Sequence, residues 1–159
     1  MSEASGPGRA SASEPDGDGV RGRSPRASTT VLPVFVYGTL RPGSWNHERW
    51  LAPWLAAPCR RAQLTGHVLH HLDGLPYLVP DATASTPVDG DVADLDPARY
   101  DDAMAELDLL EDVAGGHLVR VDVELVGGGR AWVYVAGPLV GGRLGPATAV
   151  GHGDWLAIR

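Results

Sequence analysis

"HLVRVDVELVGGGRAWVYVAG", residues 117–137, alternates apolar and polar side chains, stops at three glycines, and alternates again. Alternation with period two places one set of side chains on each face of a strand, and a glycine reversal between two such runs makes an antiparallel hairpin. Working back along the chain, Asp96-Pro97 sets a cap residue before a proline at the first helical position, a strong helix start. The helix should run from Pro97 to about Leu110, with Tyr100, Ala103, Met104, Leu107 and Leu110 on its apolar stripe and acidic residues on its other faces. Before it, "VDGDVADL" alternates over residues 88–95. Residues 62–72 read as extended, and Gly74 and Pro76 mark a turn ahead of Tyr77-Leu78-Val79. Asn46 is placed to cap a short helix from His47 to about Leu55, bounded by Pro53 and Pro58. Residues 31–37, "VLPVFVY", are mostly apolar in succession, the mark of a strand buried on both faces. Strands outnumber helices and short turns join most of them, so the expected architecture is α+β, with a largely antiparallel, closed sheet.

The chain has 159 residues, 43% of them hydrophobic, enough for one domain core. Residues 1–30 are Ser, Gly, Pro, Ala and charge with Val20 as their one large apolar side chain after Met1, and they read as a disordered tail before a folded domain over residues 31–159. The net charge of −7 argues against a nucleic-acid or anionic-membrane partner and favours a neutral or cationic small molecule. All 13 basic residues are Arg, so Schiff-base lysine chemistry is excluded. A lone cysteine, Cys59, favours a reducing, cytoplasmic compartment. No apolar run reaches the roughly 18 residues of a membrane span. Nothing in the sequence sets the oligomeric state.

Three segments carry candidate chemistry. In "VFVYGTLRPG" the first strand ends at Tyr37-Gly38-Thr39-Leu40 without the later glycines of a dinucleotide fingerprint or the Gly-Lys of a phosphate loop. It is either a plain strand-ending turn or one whose successive N–H groups, at Gly38, Thr39 and Leu40, bind a carboxylate. In "AELDLLEDVAGGH" four acids, Glu106, Asp108, Glu111 and Asp112, crowd the end of a helix. The negative end of the helix dipole and partial burial both raise a carboxyl pKa there, as a general acid/base requires, whereas a solvated acidic face requires neither. Glu111 borders the apolar stripe, while Asp108 and Asp112 should face solvent more fully. In "GHVLHHLDG", His67 and His71 share one strand face and His70 takes the other, an awkward arrangement for a metal site. Cys59, between Pro58 and Arg60, has no obvious base beside it and reads as a spare thiol.

Taken together, "VFVYGTLRPG", "GHVLHHLDGLPYLVPD" and "GDVADLDPARYDDAMAELDLLEDVAGGHLVRVDVEL", with a terminal "GDWL", resemble the gamma-glutamylcyclotransferase-like family, in its avirulence-induced-protein-like branch, over nearly all of residues 33–158. The resemblance implies a small α+β fold on a mixed β-barrel with one main helix. It also implies a cofactor-independent and metal-free release of 5-oxoproline from a gamma-glutamyl amine, amino acid or peptide. Residue by residue, it makes Glu111 the acid/base and Tyr37, Gly38, Thr39 and Leu40 the substrate loop. The chain departs from the family at Asp112-Val113, at Leu118 after His117, and at His70 and Leu75, where Tyr is usual. Asp112 either raises the Glu111 pKa by like-charge repulsion or projects into water. The competing reading is a non-catalytic small-ligand or protein-binding domain on the same fold.

Overall fold

The computed structural model describes residues 31–158, and the tail expected over residues 1–30 lies outside them. Among the described residues are seven strands: β1 Val34–Val36, β2 Arg60–Leu64, β3 His67–Leu72, β4 Leu75–Pro80, β5 Val88–Ala93, β6 Leu118–Glu124 and β7 Arg130–Ala136. The main helix, α1, is Tyr100–Leu110, and a one-turn helix, α2, is Pro138–Gly141. The expected hairpin is β6–β7, paired in register from Leu118 opposite Ala136 to Glu124 opposite Arg130. Its reversal is possible because Gly127, Gly128 and Gly129 all take positive φ, at 87°, 104° and 87°.

Five strands form one sheet in the order β2-β5-β1-β7-β6. All neighbours are antiparallel except β1 and β7, where Val34 pairs with Trp132 in parallel. The sheet is mixed and largely antiparallel as expected, but it does not close. Among the strands, β3 and β4 pair only with each other, as a two-stranded sheet, and β4 lies against β7 instead of joining an edge. The edges approach at the hairpin turn, where the Val126 amide donates to Gln63 O at 3.0 Å.

β1 is buried on both faces, as its composition requires. Val34 and Val36 join a core with Leu51, Tyr100, Met104 and Leu107, beneath α1. Phe35 and Tyr37 point the other way, into a second core with Leu64, Leu69, Leu78, Val92 and Val133 under the β3–β4 hairpin. α1 starts where Asp96 accepts from the Ala98 amide at 3.0 Å, with a short 3₁₀ turn, Pro97–Arg99, leading into it. Its buried stripe is Tyr100, Ala103, Met104 and Leu107.

Two local expectations are corrected. The extended run over residues 62–72 is two strands, because Gly66 at φ +72° turns the chain between them. The expected helix after Asn46 is a π-helical turn, His47–Leu51, followed by a 3₁₀ turn, Ala52–Trp54, and Asn46 makes no side-chain cap. Its amide group is committed instead to Thr39 Oγ1, at 3.0 Å.

Candidate active site

β1 leaves the sheet at Tyr37 and enters the turn at residues 38–41, closed by the Arg41 amide donating to Gly38 O at 3.0 Å. The next two carbonyls are tied down as well. Thr39 O accepts from the Asn46 amide at 3.0 Å, and Leu40 O lies 2.8 Å from His47 Nδ1, which must therefore carry a proton. A planar trans peptide points its N–H opposite to its C=O. With these carbonyls bound, the amides of Thr39 and Leu40 face the other way, and neither they nor the Gly38 amide donates to a backbone acceptor among the described residues. Successive N–H groups free on one side make an anion-binding concavity. Arg41 pins the turn from below. It is 3% exposed, with Nε 2.8 Å from Asp91 Oδ2 and Nη1 2.9 Å from Asp154 Oδ1.

Gly38 has a structural reason beyond any ligand. A Cβ there would fall on the Pro76 ring of β4, so only glycine lets the turn and β4 meet. Where they meet is a cavity of about 170 Å³. Tyr37, Gly38, Thr39 and Leu40 line one side; Glu111, Tyr77, His117 and Tyr134 are among the residues that line the rest. This is small beside the ~300–1,000 Å³ of drug-sized sites, so it suits a compact polar group.

Glu111 reaches the cavity because α1 stops there. Its own amide still donates to Leu107 O at 2.9 Å, and Asp112, at φ +53°, turns the chain away. Burial pushes the Glu111 carboxyl up to about 7, and its side chain has no hydrogen bond or ion pair among the described residues. Asp112 is not the cause: it is exposed, and its Oδ1 accepts from the Gly115 amide at 3.2 Å. Asp108 does not face solvent as expected. It is gripped by Arg120, Nε to Oδ1 at 2.9 Å and Nη2 to Oδ2 at 3.0 Å, and it accepts from the Tyr134 hydroxyl at 2.7 Å. Of the four clustered acids, Glu111 alone lines the cavity.

The residues that sequence reading passed over are Asn46, Tyr77, His117 and Tyr134, all in the cavity wall. The Tyr37 hydroxyl donates to Tyr134 O at 2.6 Å, and Tyr77 Oη lies 2.9 Å from His117 Nε2. Alternation along β4 and β7 gives each tyrosine a face, but not which cavity that face meets. The other candidates sit elsewhere. His70 Nδ1 lies 2.8 Å from Thr148 Oγ1, His67 Nδ1 lies 2.9 Å from Thr65 O, and His71 meets the Trp155 ring edge-on. Among the described residues no group of His, Cys, Asp and Glu is placed to hold a metal ion. Burial raises the Cys59 thiol to about 11, which keeps it protonated and poorly nucleophilic. No helix among the described residues is long and apolar enough to cross a membrane.

Comparison with known proteins adds to this geometry. A family model described as "Gamma-glutamyl cyclotransferase, AIG2-like" matches residues 34–157. YkqA from Bacillus subtilis is similar over 78% of this chain, at 28% identity and a TM-score of 0.53, and the chain spans 39% of the length of that protein. An AIG2-like protein from Mus musculus is similar at 23% identity and a TM-score of 0.53, over 80% of this chain and 84% of its own. A uropathogenic E. coli-specific protein, c4763, is similar at 18% identity and a TM-score of 0.56, over 80% and 94%. The last two likenesses concern the fold alone. No curated protein sequence matches the chain.

Proposed function

The chain belongs to the gamma-glutamyl cyclotransferase, AIG2-like family, and on that premise we propose that it releases 5-oxoproline and a free amine from a gamma-glutamyl amine, amino acid or peptide, with Glu111 as general acid and base. The observation that carries the reading is the pairing, in one cavity, of an unpartnered carboxyl raised to about 7 with the turn of free amides at Gly38, Thr39 and Leu40.

The amides hold the substrate α-carboxylate, and this leaves the α-amine and the γ-carbonyl facing Glu111. The α-ammonium gives a proton to the Glu111 carboxylate. The freed amine attacks the γ-carbon, the carbonyl electrons move onto oxygen, and a five-membered tetrahedral intermediate forms. Its collapse breaks the bond to the leaving nitrogen, which takes the proton back from Glu111; the second proton of the ring nitrogen then passes through the regenerated Glu111 carboxylate to the departing amine, which leaves as an ammonium. Both reacting groups belong to one molecule, so the site has only to fix their geometry.

The raised carboxyl suits the first step. Transfer of the ammonium proton to a carboxyl at about 7 costs about 3 kcal/mol less than transfer to an ordinary carboxylate at 4.5. The test is 5-oxoproline release from a panel of gamma-glutamyl amines, amino acids and peptides, wild type beside Glu111→Gln. Release by the wild type and a loss of about 10²- to 10⁴-fold in the variant support the assignment. Wild-type silence across the panel would refute the reaction, and an active Gln variant the role of Glu111.

A further inference from the structure

The intermediate places a negative charge on the former γ-carbonyl oxygen, and neither Glu111 nor the turn amides, committed to the α-carboxylate, answers it. Three tyrosines in the cavity wall could donate to it: Tyr37, Tyr77 and Tyr134. Two are spent. The Tyr37 hydroxyl donates to Tyr134 O at 2.6 Å, and the Tyr134 hydroxyl donates to Asp108 Oδ1 at 2.7 Å. An O–H group has a single proton, so neither has one left for a ligand.

Tyr77 differs. It is 3% exposed, and the partner of its hydroxyl is the ring nitrogen His117 Nε2 at 2.9 Å, which can be donor or acceptor. The rings lie 5.5 Å apart, tilted at 58°, and both residues line the cavity that Glu111 enters. If His117 Nε2 carries the proton it donates to Tyr77 Oη, and the tyrosine proton is free to turn inward. If Nε2 is bare, the tyrosine proton is locked onto it and the cavity sees only lone pairs.

We infer that His117 holds its proton on Nε2 and positions Tyr77, whose hydroxyl donates to the γ-carbonyl oxygen as it becomes an oxyanion. This rests on the cyclotransferase reading and assigns that same cavity its electrophilic group. No proton leaves Tyr77 in the step. The hydrogen bond shortens as electrons move from the carbonyl bond onto oxygen and relaxes when the leaving amine is expelled. Because the donor is fixed before charge develops, it stabilises the intermediate more than the bound substrate.

Two readouts test this. The ¹⁵N signal of His117 in the wild-type protein should show Nε2 protonated; a bare Nε2 overturns the assignment without reference to activity. In steady-state assays of 5-oxoproline release, Tyr77→Phe should lose about 10²- to 10³-fold in kcat with KM little changed. His117→Gln, whose amide N–H can stand in for Nε2–H, should stay within about tenfold of wild type, and His117→Leu should fall to the level of Tyr77→Phe. The fall in kcat/KM expected below about pH 7, where Glu111 becomes protonated, should be unmoved in all three variants. An active wild type with an unimpaired Tyr77→Phe overturns this inference alone. A wild type that releases no 5-oxoproline overturns the reaction and the inference together.

Discussion

Replacing Glu111 by Gln should make the protein more stable than the wild type at pH 8 and leave it equally stable near pH 4.5. Burial keeps the folded carboxyl protonated up to about pH 7, whereas the unfolded chain releases that proton near the ordinary value of 4.5. Between those values the folded state binds the extra proton, so the stability it brings is complete below 4.5 and is lost as pH rises through 7. At about 1.4 kcal/mol per pH unit, the wild type loses about 3 kcal/mol across this window. Gln keeps the size of the protonated acid and has nothing to ionise, so the variant escapes the loss. For a domain of this size that is about 10 °C in Tm. Urea denaturation of both proteins at steps from pH 4.5 to 8.5 isolates the effect, because every other titrating group cancels in the difference. A difference that stays constant with pH would show that Glu111 is not held protonated, and the argument for its role would lose its physical basis. A side chain that costs stability where it sits is what a functional carboxyl in a dry site looks like.

Two further substitutions probe the frame around the cavity. Gly38→Ala should cost about 1–3 kcal/mol in urea denaturation by driving a Cβ into Pro76, and Pro76→Ala in the same chain should recover part of it; purely additive losses would show that the two do not press on each other. Arg41→Leu should cost about 3–5 kcal/mol, because Asp91, 8% exposed, would keep only the exposed Arg61 at 3.8 Å; a loss under about 1 kcal/mol would mean that this ion pair does not anchor the turn.

The β6–β7 hairpin, the Asp96 start of α1 and the buried stripe of that helix are legible in the sequence because local chemistry makes them. Three glycines in a row, a cap followed by proline, and apolar side chains at helical spacing each act within a few residues of themselves. What the sequence hides is what depends on distant partners. The parallel pairing of β1 with β7 joins residues 34 and 132. The isolation of β3–β4 as its own sheet depends on β4 packing on β7. Asp108 looks solvent-facing on a helical wheel, but Arg120 and Tyr134 reach it from β6 and β7. Asn46 carries a cap-type side chain, but Thr39 of the turn is its partner. The site divides the same way. Glu111 and the turn at residues 37–40 show themselves by acid placement and by resemblance, whereas Tyr77 and His117 are neighbours only through the fold, forty residues apart in sequence.

At the centre stands the proposal that Glu111, a half-buried carboxyl raised by desolvation, moves the protons of a cyclisation. The measurement that meets it most directly is kcat/KM for 5-oxoproline release between pH 5 and 9, wild type beside Glu111→Gln. The wild type should show an acid limb of unit slope that breaks near the raised value of about 7, with residual release from the variant lacking that break. A rate that is flat through pH 7, or the same limb in both proteins, would contradict it.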